Sequence, residues 1–305
     1  MTAQTADPDL FSDLSTSPEG EQAVNAVSRR RGDRAMTGVL TSAVLLALFP
    51  LVLILVEVIR RGASAMSIEF LTSEQNISLV REGGGYLNGL VGTLYMVVIA
   101  VVIAVPLGIA TATFVVEYSD SRLVPFIKFF TDVMTGVPSI FVGLFVYTVL
   151  VQGGIGFSTL AGGVALSLLM IPIVARASEE VIRLVPDELR NAAYGLGARR
   201  WQVTTKVVLP AAISGLITAS MLAVARAAGE TAPLLLTAFG AFKIVPELIG
   251  TPQSAIPLIV FNEARGPFEA AHARAWAGAL ELMLLVLILT VLARVISRRS
   301  EAMTG

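Results

Sequence analysis

The chain has 305 residues, of which 55% are hydrophobic and 15% charged, with a mean hydropathy of +0.77 and a formal net charge of -1. This composition is too apolar for a soluble domain and indicates a membrane protein, while the near-neutral charge argues against nucleic acid as a partner. Cysteine is absent and His272 is the single histidine, which excludes disulfides, thiolate metal sites and histidine clusters.

The first 35 residues form a polar, acid-rich stretch that ends in the arginine cluster Arg29, Arg30, Arg31 and Arg34. Such a stretch buries too little apolar surface to fold, so we expect residues 1–35 to be a disordered cytoplasmic tail. The apolar run that follows is late and long, whereas a secretory signal places a short apolar run nearer the start. We therefore expect this run to stay in the membrane.

Long uncharged runs predict an all-α membrane protein of about six transmembrane helices, since a helix needs about 20 apolar residues to cross the hydrocarbon core. The run over 133–175 is about twice that length and contains a glycine-rich turn at 152–156, so we count it as two spans. Pro138 is expected to kink the first of these two. A soluble helical protein does not present so many uninterrupted runs. The predicted spans are residues 36–59, 90–116, 129–151, 159–178, 211–236 and 276–296.

The basic residues between the spans favour one orientation. Six spans put both termini on the same side, and most of the arginines and lysines in the loops fall on that side. Loops rich in these residues remain on the cytoplasmic side of a membrane. We therefore predict a multi-pass membrane domain over residues 36–299 with both termini in the cytoplasm.

The predicted cytoplasmic loop over residues 179–210 is amphipathic and highly charged. A proline and two acids at 186–188 are typical of a helix start, because acids there lie at the positive end of the helix dipole. A short helix that ends at Gly195 or Gly197, followed by a second helix, would form a hairpin on the cytoplasmic face. The spacing alone leaves open a hairpin that merely rests among the lipid headgroups.

Small residues recur within this loop in a recognisable order. Asn191-Ala192-Ala193 is followed by Gly197 and, at the end of the loop, by Leu209-Pro210. This order resembles the EAA loop of bacterial ABC-importer permeases, although Asn191 replaces the acidic residue that opens the family motif. The resemblance implies a coupling helix that docks into a cytoplasmic ATPase. The residues assigned to this coupling are Asn191, Ala192, Ala193, Gly197, Arg199 and Arg200.

The chain has no G-x-x-x-x-G-K-[ST] phosphate loop, since its glycine clusters at 83–85 and 153–154 are not followed by lysine. We therefore expect this chain not to be an enzyme, and we expect ATP hydrolysis in a separate subunit. No cofactor is expected.

Five longer segments carry a more specific resemblance. They are GGGYLNGLVGTLYM, TGVPSIFVGLF, RASEEVIRLVPDELRNAAYGLGA, ARAAGETAPLLLTA and IPLIVFNEARGPFEAAHARAWAGALELMLLVLILTVLAR. Together they cover most of residues 83–294 and resemble the PstA-type permease subunits of bacterial ABC phosphate importers. The resemblance implies the ABC type I importer permease fold, a location in the bacterial cell membrane, and no role for nucleic acid. The partners it implies are a sister permease (PstC-like), a dimeric ATPase (PstB-like), an extracytoplasmic phosphate-binding protein (PstS-like), membrane lipid and inorganic phosphate.

An arginine in the fifth predicted span is the leading candidate for a substrate contact. Arg226 interrupts an otherwise uncharged run near the predicted centre of that span, and Glu230 follows four residues later. A charge within a span is costly unless it faces a pathway or a partner, and a guanidinium offers a planar donor fork that suits phosphate oxygens. The alternative is a purely structural ion pair between these two residues at i and i+4. The two roles are compatible.

Arg176, at the cytoplasmic end of the fourth predicted span, is the third residue assigned to the substrate pathway, together with Arg226 and Glu230. It matches a second arginine that the phosphate-permease family places along its route. The alternative is an ordinary basic residue at the cytoplasmic end of a membrane helix.

Other functions fit the sequence less well. A permease for another oxyanion, such as sulfate or molybdate, is the nearest alternative, because a donor fork suits any tetrahedral anion. An ion-coupled secondary transporter often shows broken helices in matching positions of two halves, and no such symmetry is visible here. An intramembrane enzyme is disfavoured because the chain has one histidine and no cysteine.

Overall fold

The computed structural model describes the backbone of residues 18–304 and the side chains of residues 36–295. Contacts between residues divide the chain into two units, residues 1–57 and residues 58–305. Within 18–304 the regular elements are all helices. They are α1 (Pro18–Ala65), α2 (Ile68–Thr72), α3 (Leu87–Glu117), α4 (Val124–Gly136), α5 (Ser139–Val146) with a π-helical continuation (Tyr147–Ile155), α6 (Thr159–Arg183), α7 (Asp187–Gly195), α8 (Arg200–Val203) with a π-helical continuation (Thr204–Val208), α9 (Leu209–Ala228), α10 (Ala232–Thr237), α11 (Ile256–Ala264) and α12 (Glu269–Thr304).

The first unit consists largely of α1. Its side chains over 36–56 are all exposed, and this stretch carries no charge. An exposed, uncharged helix of this length is suited to lipid rather than water. The first part of the predicted tail, residues 1–17, lies outside the described residues, whereas α1 begins at Pro18 and so includes the second part.

Five described helices are long and apolar enough to cross a membrane, and α4 with α5 and its continuation forms a sixth, bent candidate. This result confirms the predicted number of about six. The five unbroken spans are Met36–Ala65, Leu87–Glu117, Thr159–Arg183, Arg200–Ala228 and Glu269–Val295.

The third span is broken rather than kinked. The helices Val124–Gly136 and Ser139–Ile155 meet at an angle of 103°. Val137 and Pro138 have extended backbones between them, because proline lacks an N–H and keeps the residue before it out of the helical region. The predicted site of the kink is therefore confirmed, but the bend is too sharp for one continuous helix over 129–151.

The core of the second unit lies where α3, α6 and α9 pack together. Met96 and Ala100 of α3, Met170 of α6 and Ala223 of α9 are fully or almost fully buried in one apolar cluster. Gly108 lets α3 approach α6 closely, since a Cβ at this position would lie 2.7 Å from Cβ of Val174. Small residues at such contacts are typical of packed membrane helices.

The two ends of this bundle differ in what closes them. One end, which we call the loop end, carries the loop over 179–210. At the opposite end, where α3 and α6 begin, the chain between α10 and α11 is held by buried amides. Nε2 of Gln253 donates to the carbonyl of Val245 at 2.8 Å, and Nδ2 of Asn88 donates to the carbonyl of Ala241 at 2.7 Å. These hydrogen bonds hold the segment between α10 and α11 in place at the opposite end of the bundle.

Candidate functional site

Arg226 lies in the last turn of α9, where its side chain is 68% exposed. Its Nε is 3.6 Å from Oε1 of Glu230, whose side chain is 20% exposed. This separation is within ion-pair range but longer than the roughly 2.9 Å of a charge-assisted hydrogen bond. The predicted pair is therefore present, and much of the guanidinium surface remains open to a ligand.

The position of this pair along the helix differs from the prediction. The predicted span over 211–236 is continuous, whereas α9 ends at Ala228 and the short α10 begins at Ala232. Gly229 follows the last helical residue and Pro233 stands in the first turn of α10, which are residue types typical of a helix end and a helix start. Arg226 therefore lies beside a break between two helices and not near the centre of one.

Arg176 belongs to a cluster of ion pairs between α4 and α6. Its guanidinium contacts Asp132 of α4, and its Nη1 lies 3.6 Å from Oε2 of Glu179. Oε1 of Glu179 lies 3.1 Å from Nζ of Lys128 and 2.8 Å from Nη2 of Arg183. Arg176 was predicted to line the substrate pathway, but its neighbours Asp132 and Lys128 were not predicted, since local spacing does not reveal which helix packs against α6.

The predicted coupling residues lie on and just after α7. No residue of α7 is buried, and the chain turns after it at Gly197, whose φ of +83° is in the left-handed region that glycine adopts without strain. Arg200 stacks over the ring of Tyr118 at 4.6 Å and lies 4.0 Å from Oδ2 of Asp120. The exposed members of the predicted set are Asn191, Ala192, Gly197, Arg199 and Arg200, while Ala193 is partly buried.

Apolar side chains on this hairpin are also uncovered. Leu196 is 90% exposed, and Leu184, Leu189 and Trp201 are exposed as well. Val203, which follows Trp201 in α8, is fully buried beneath them. Val203 packs into an apolar cluster of this chain, whereas Trp201 is exposed. Several uncovered apolar side chains on one hairpin are candidates for an interaction surface.

The inner side of the hairpin is held by a buried ion pair that the sequence analysis missed. Nη2 of Arg190 in α7 lies 3.1 Å from Oε1 of Glu117, the last residue of α3. The same guanidinium donates to the carbonyls of Ile182 and Val185 at 3.0 Å and 2.5 Å. Because 73 residues separate the two charges, no local motif indicates this contact.

A second missed network lies at the opposite end of the bundle. Glu263 of α11 is fully buried and accepts hydrogen bonds from the hydroxyl of Tyr86 at 2.8 Å and from Nε of Arg274 at 3.0 Å. Nε2 of Gln75 donates to its other oxygen at 3.2 Å. Burial, together with the negative charge of Glu263, raises the pKa of Tyr86. These contacts tie α11 and α12 to the start of α3.

Comparisons with known proteins identify the family of this chain. The family model described as binding-protein-dependent transport system inner membrane component matches residues 104–301. The phosphate transport system permease protein PstA of Yersinia pestis is 40% identical over 274 residues, which is 90% of this chain and 92% of that protein. The phosphate transport system permease protein PstA 1 of Mycobacterium tuberculosis is 37% identical over 272 residues, which is 88% of this chain and 89% of that protein for strain CDC 1551.

Solved structures share the fold at lower identity. An inward-facing conformation of the MetNI methionine ABC transporter matches with a TM-score of 0.57 and 20% identity, covering 70% of this chain and 93% of that chain. A bacterial alginate ABC transporter matches with a TM-score of 0.60 and 13% identity, covering 89% of this chain and 96% of that chain. These likenesses confirm the predicted all-helical importer permease fold.

Proposed function

Since this chain belongs to the family of binding-protein-dependent transport system inner membrane components, we propose that it is a permease subunit of an ATP-driven phosphate importer. The names of its relatives support phosphate as the solute. The observation that carries the proposal is the exposed guanidinium of Arg226 at the end of a membrane-spanning helix. An accessible guanidinium at this position suits an anionic solute, because its planar donor fork matches the oxygens of a tetrahedral anion.

In this proposal Arg226 binds the phosphate and Glu230 occupies the guanidinium between solute molecules. Their separation of 3.6 Å supports an exchange of this kind, because a loose and largely exposed pair is worth only about 0.2–1 kcal/mol. A phosphate dianion offers a guanidinium two oxygens at once, which makes a stronger contact than one distant carboxylate oxygen. The solute can therefore displace Glu230 at little cost.

Arg176 is the second pathway residue of the proposal. It contacts Asp132 and lies near Glu179, so that its guanidinium also has carboxylates that a phosphate can replace. The surrounding cluster contains three cations and two carboxylates, so the cluster itself has one excess positive charge. Such a charge attracts an anion that leaves the membrane.

The loop over 179–210 is proposed to couple the chain to an ATPase in a separate subunit. The exposed set from Asn191 to Arg200, with the uncovered Leu196 and Trp201, is a surface of small, basic and apolar residues. Interfaces typically combine apolar anchors with arginine. The alternative of a hairpin resting among lipid headgroups predicts that the same residues contact no protein.

The proposed complex contains this chain, a sister permease, a dimeric ATPase and an extracytoplasmic phosphate-binding protein, in a bacterial cell membrane with both termini of this chain in the cytoplasm. The binding protein delivers phosphate at the opposite end of the bundle. ATP closes the ATPase dimer, the hairpin transmits the movement, and the two permeases open their shared path alternately to each side. This chain supplies half of the path and performs no hydrolysis.

Uptake of radiolabelled phosphate into proteoliposomes tests this proposal. Vesicles that hold the complete complex should accumulate phosphate only when ATP and the ATPase are present, and excess sulfate or molybdate should compete weakly. Uptake that persists without the ATPase would favour an ion-coupled transporter. Equal competition by sulfate would assign the chain to another oxyanion, because a guanidinium alone does not distinguish tetrahedral anions.

A further inference from the structure

Arg190 connects three helices at the loop end of the bundle. Its Nη1 donates to the carbonyl of Val185 and to Oδ1 of Asp187, at 2.5 Å and 3.2 Å, and its Nη2 donates to the carbonyl of Ile182 at 3.0 Å. The carbonyl of Ile182 lies in the last turn of α6 and that of Val185 lies two residues beyond its end, where the chain leaves the helix. The guanidinium therefore fastens α7 to the end of α6.

The same side chain reaches α3 through Glu117. Nη2 and Nε of Arg190 lie 3.1 Å and 3.3 Å from Oε1 of Glu117, and the hydroxyl of Thr204 lies 3.5 Å from its Oε2. The side chains of Glu117 and Arg190 are only 4% and 14% exposed. Breaking a buried pair of this kind is far more costly than breaking an exposed one, because the remaining charge stays buried without its partner.

Other contacts between α7 and the membrane helices are few. No residue of α7 itself is buried, and the apolar cluster beneath the hairpin is built mainly from α3, α6 and the helix that starts at Arg200, through Ala112, Ile182, Val203 and Val208. Ala193 packs against that cluster, and α7 also contacts the π-helical segment Thr204–Val208. Arg190 adds a direct, charged contact between α7 and the end of α3.

We propose that the Arg190–Glu117 pair is the contact that transmits movement of the coupling helix to the second membrane span. The inference rests on the proposed coupling between this hairpin and an ATPase. Arg190 lies immediately before Asn191, on the side of α7 that faces the bundle, so it leaves the exposed set free to contact the ATPase. Glu117 acts as a positioning residue, which holds α3 in register with α7 and does not contact the solute.

The test compares Glu117→Gln with the wild type in the reconstituted complex, and the quantity measured is phosphate imported per ATP hydrolysed. Without the buried charge, the hairpin and α3 should move independently, so this ratio should fall about tenfold, within the range of coupling between linked sites. In Glu117→Asp, which keeps the charge, the ratio should fall less. Asp120→Asn is the matched control, because it removes a carboxylate three residues away whose pair with Arg200 is long, at 4.0 Å, and exposed.

A second measurement does not depend on the solute. The chain contains no cysteine, so Ser119→Cys and Glu188→Cys place two spin labels at exposed positions on either side of the pair, in a complex whose partner subunits also lack cysteine. The distance between the labels should be narrowly distributed with and without ATP in the wild type. It should become broad in Glu117→Gln.

The outcomes separate the two proposals. An unchanged transport ratio, or an equal width of the label distances in both proteins, overturns the role of the pair. A parallel loss of transport and hydrolysis with intact assembly also overturns it, since that result places the defect in the hydrolytic cycle and not in its coupling to transport. If the wild-type complex imports no phosphate, the proposed function fails, while the label distances still decide the present inference.

Discussion

Arg226 and Glu230 form a loose ion pair across the end of α9, with Nε and Oε1 3.6 Å apart. The helix ends at Ala228 between them, so the pair bridges the last turn and the chain beyond it. This arrangement leaves Arg226 mostly exposed while its charge is partly balanced. A cation that is balanced but still accessible can exchange its carboxylate for a solute anion.

Glu230→Gln tests this exchange. Removal of the competing carboxylate should tighten phosphate binding by the solubilised complex by up to about fivefold in the absence of the binding protein, since an exposed pair is worth about 0.2–1 kcal/mol. Binding measured by equilibrium dialysis with radiolabelled phosphate provides the readout. Weaker binding in the variant would mean that Glu230 instead holds Arg226 in its binding geometry.

Glu179→Gln should lower the stability of the complex without changing the exposed residues of α7 and α8. Its carboxylate lies within 3.1 Å of Lys128 and 2.8 Å of Arg183 and is mostly buried, so its loss leaves these cations with weakened partners. We expect the free energy of unfolding to fall by about 1–3 kcal/mol and the melting temperature to fall by several degrees. Glu180→Gln is the control, because the neighbouring side chain is exposed. Equal melting temperatures for both variants would show that the cluster contributes little.

Tyr86→Phe should lower the free energy of unfolding by about 1–3 kcal/mol, since it leaves a buried oxygen of Glu263 without one of its hydrogen-bond donors. The raised pKa of Tyr86 adds a pH dependence. Its neutral form is favoured in the fold, so the stabilisation is complete below the usual pKa of about 10 and is lost as pH rises from there. The difference in melting temperature between wild type and variant should be constant from pH 7 to about 9 and should shrink at higher pH. A constant difference at every pH would contradict this view.

Leu196→Ser should weaken binding of the ATPase subunit while leaving this chain folded. Leu196 is 90% exposed, so its replacement removes no contact within the described structure. We expect Leu196 to be among the minority of interface residues whose truncation costs more than about 1 kcal/mol, which is about a fivefold weaker association. Copurification of the ATPase provides the measurement. Ile68→Ser is the control, since Ile68 is equally uncovered but lies in α2 at the opposite end.

Local patterns in the sequence predicted the features that depend on nearby residues. Apolar run length gave the number of spans, the proline at 138 gave the site of the break, and the spacing of Arg226 and Glu230 gave their ion pair. Each of these follows from residues within a few turns of one another. The bend of 103° was not predicted, because its size depends on the packing of α5 against α10, where Gly143 approaches Pro233.

Contacts between distant residues were beyond such reasoning. Glu117 with Arg190 and Tyr86 with Glu263 are separated by 73 and 177 residues, and their pairing depends on which helix faces meet. The end of α9 at Ala228 was missed for a related reason. Apolar residues continue beyond Gly229, so hydropathy alone extends the span, while the glycine and the following proline end it.

Phosphate uptake by Arg226→Gln, in proteoliposomes that contain the assembled complex, tests whether Arg226 binds the solute. We expect uptake to fall at least about tenfold, the loss expected for one hydrogen bond to a charged group, while subunit assembly remains normal. Arg265→Gln, which removes an exposed arginine that stacks on Phe261, should transport like the wild type. Normal uptake by Arg226→Gln in a normally assembled complex would show that phosphate does not depend on Arg226 to cross.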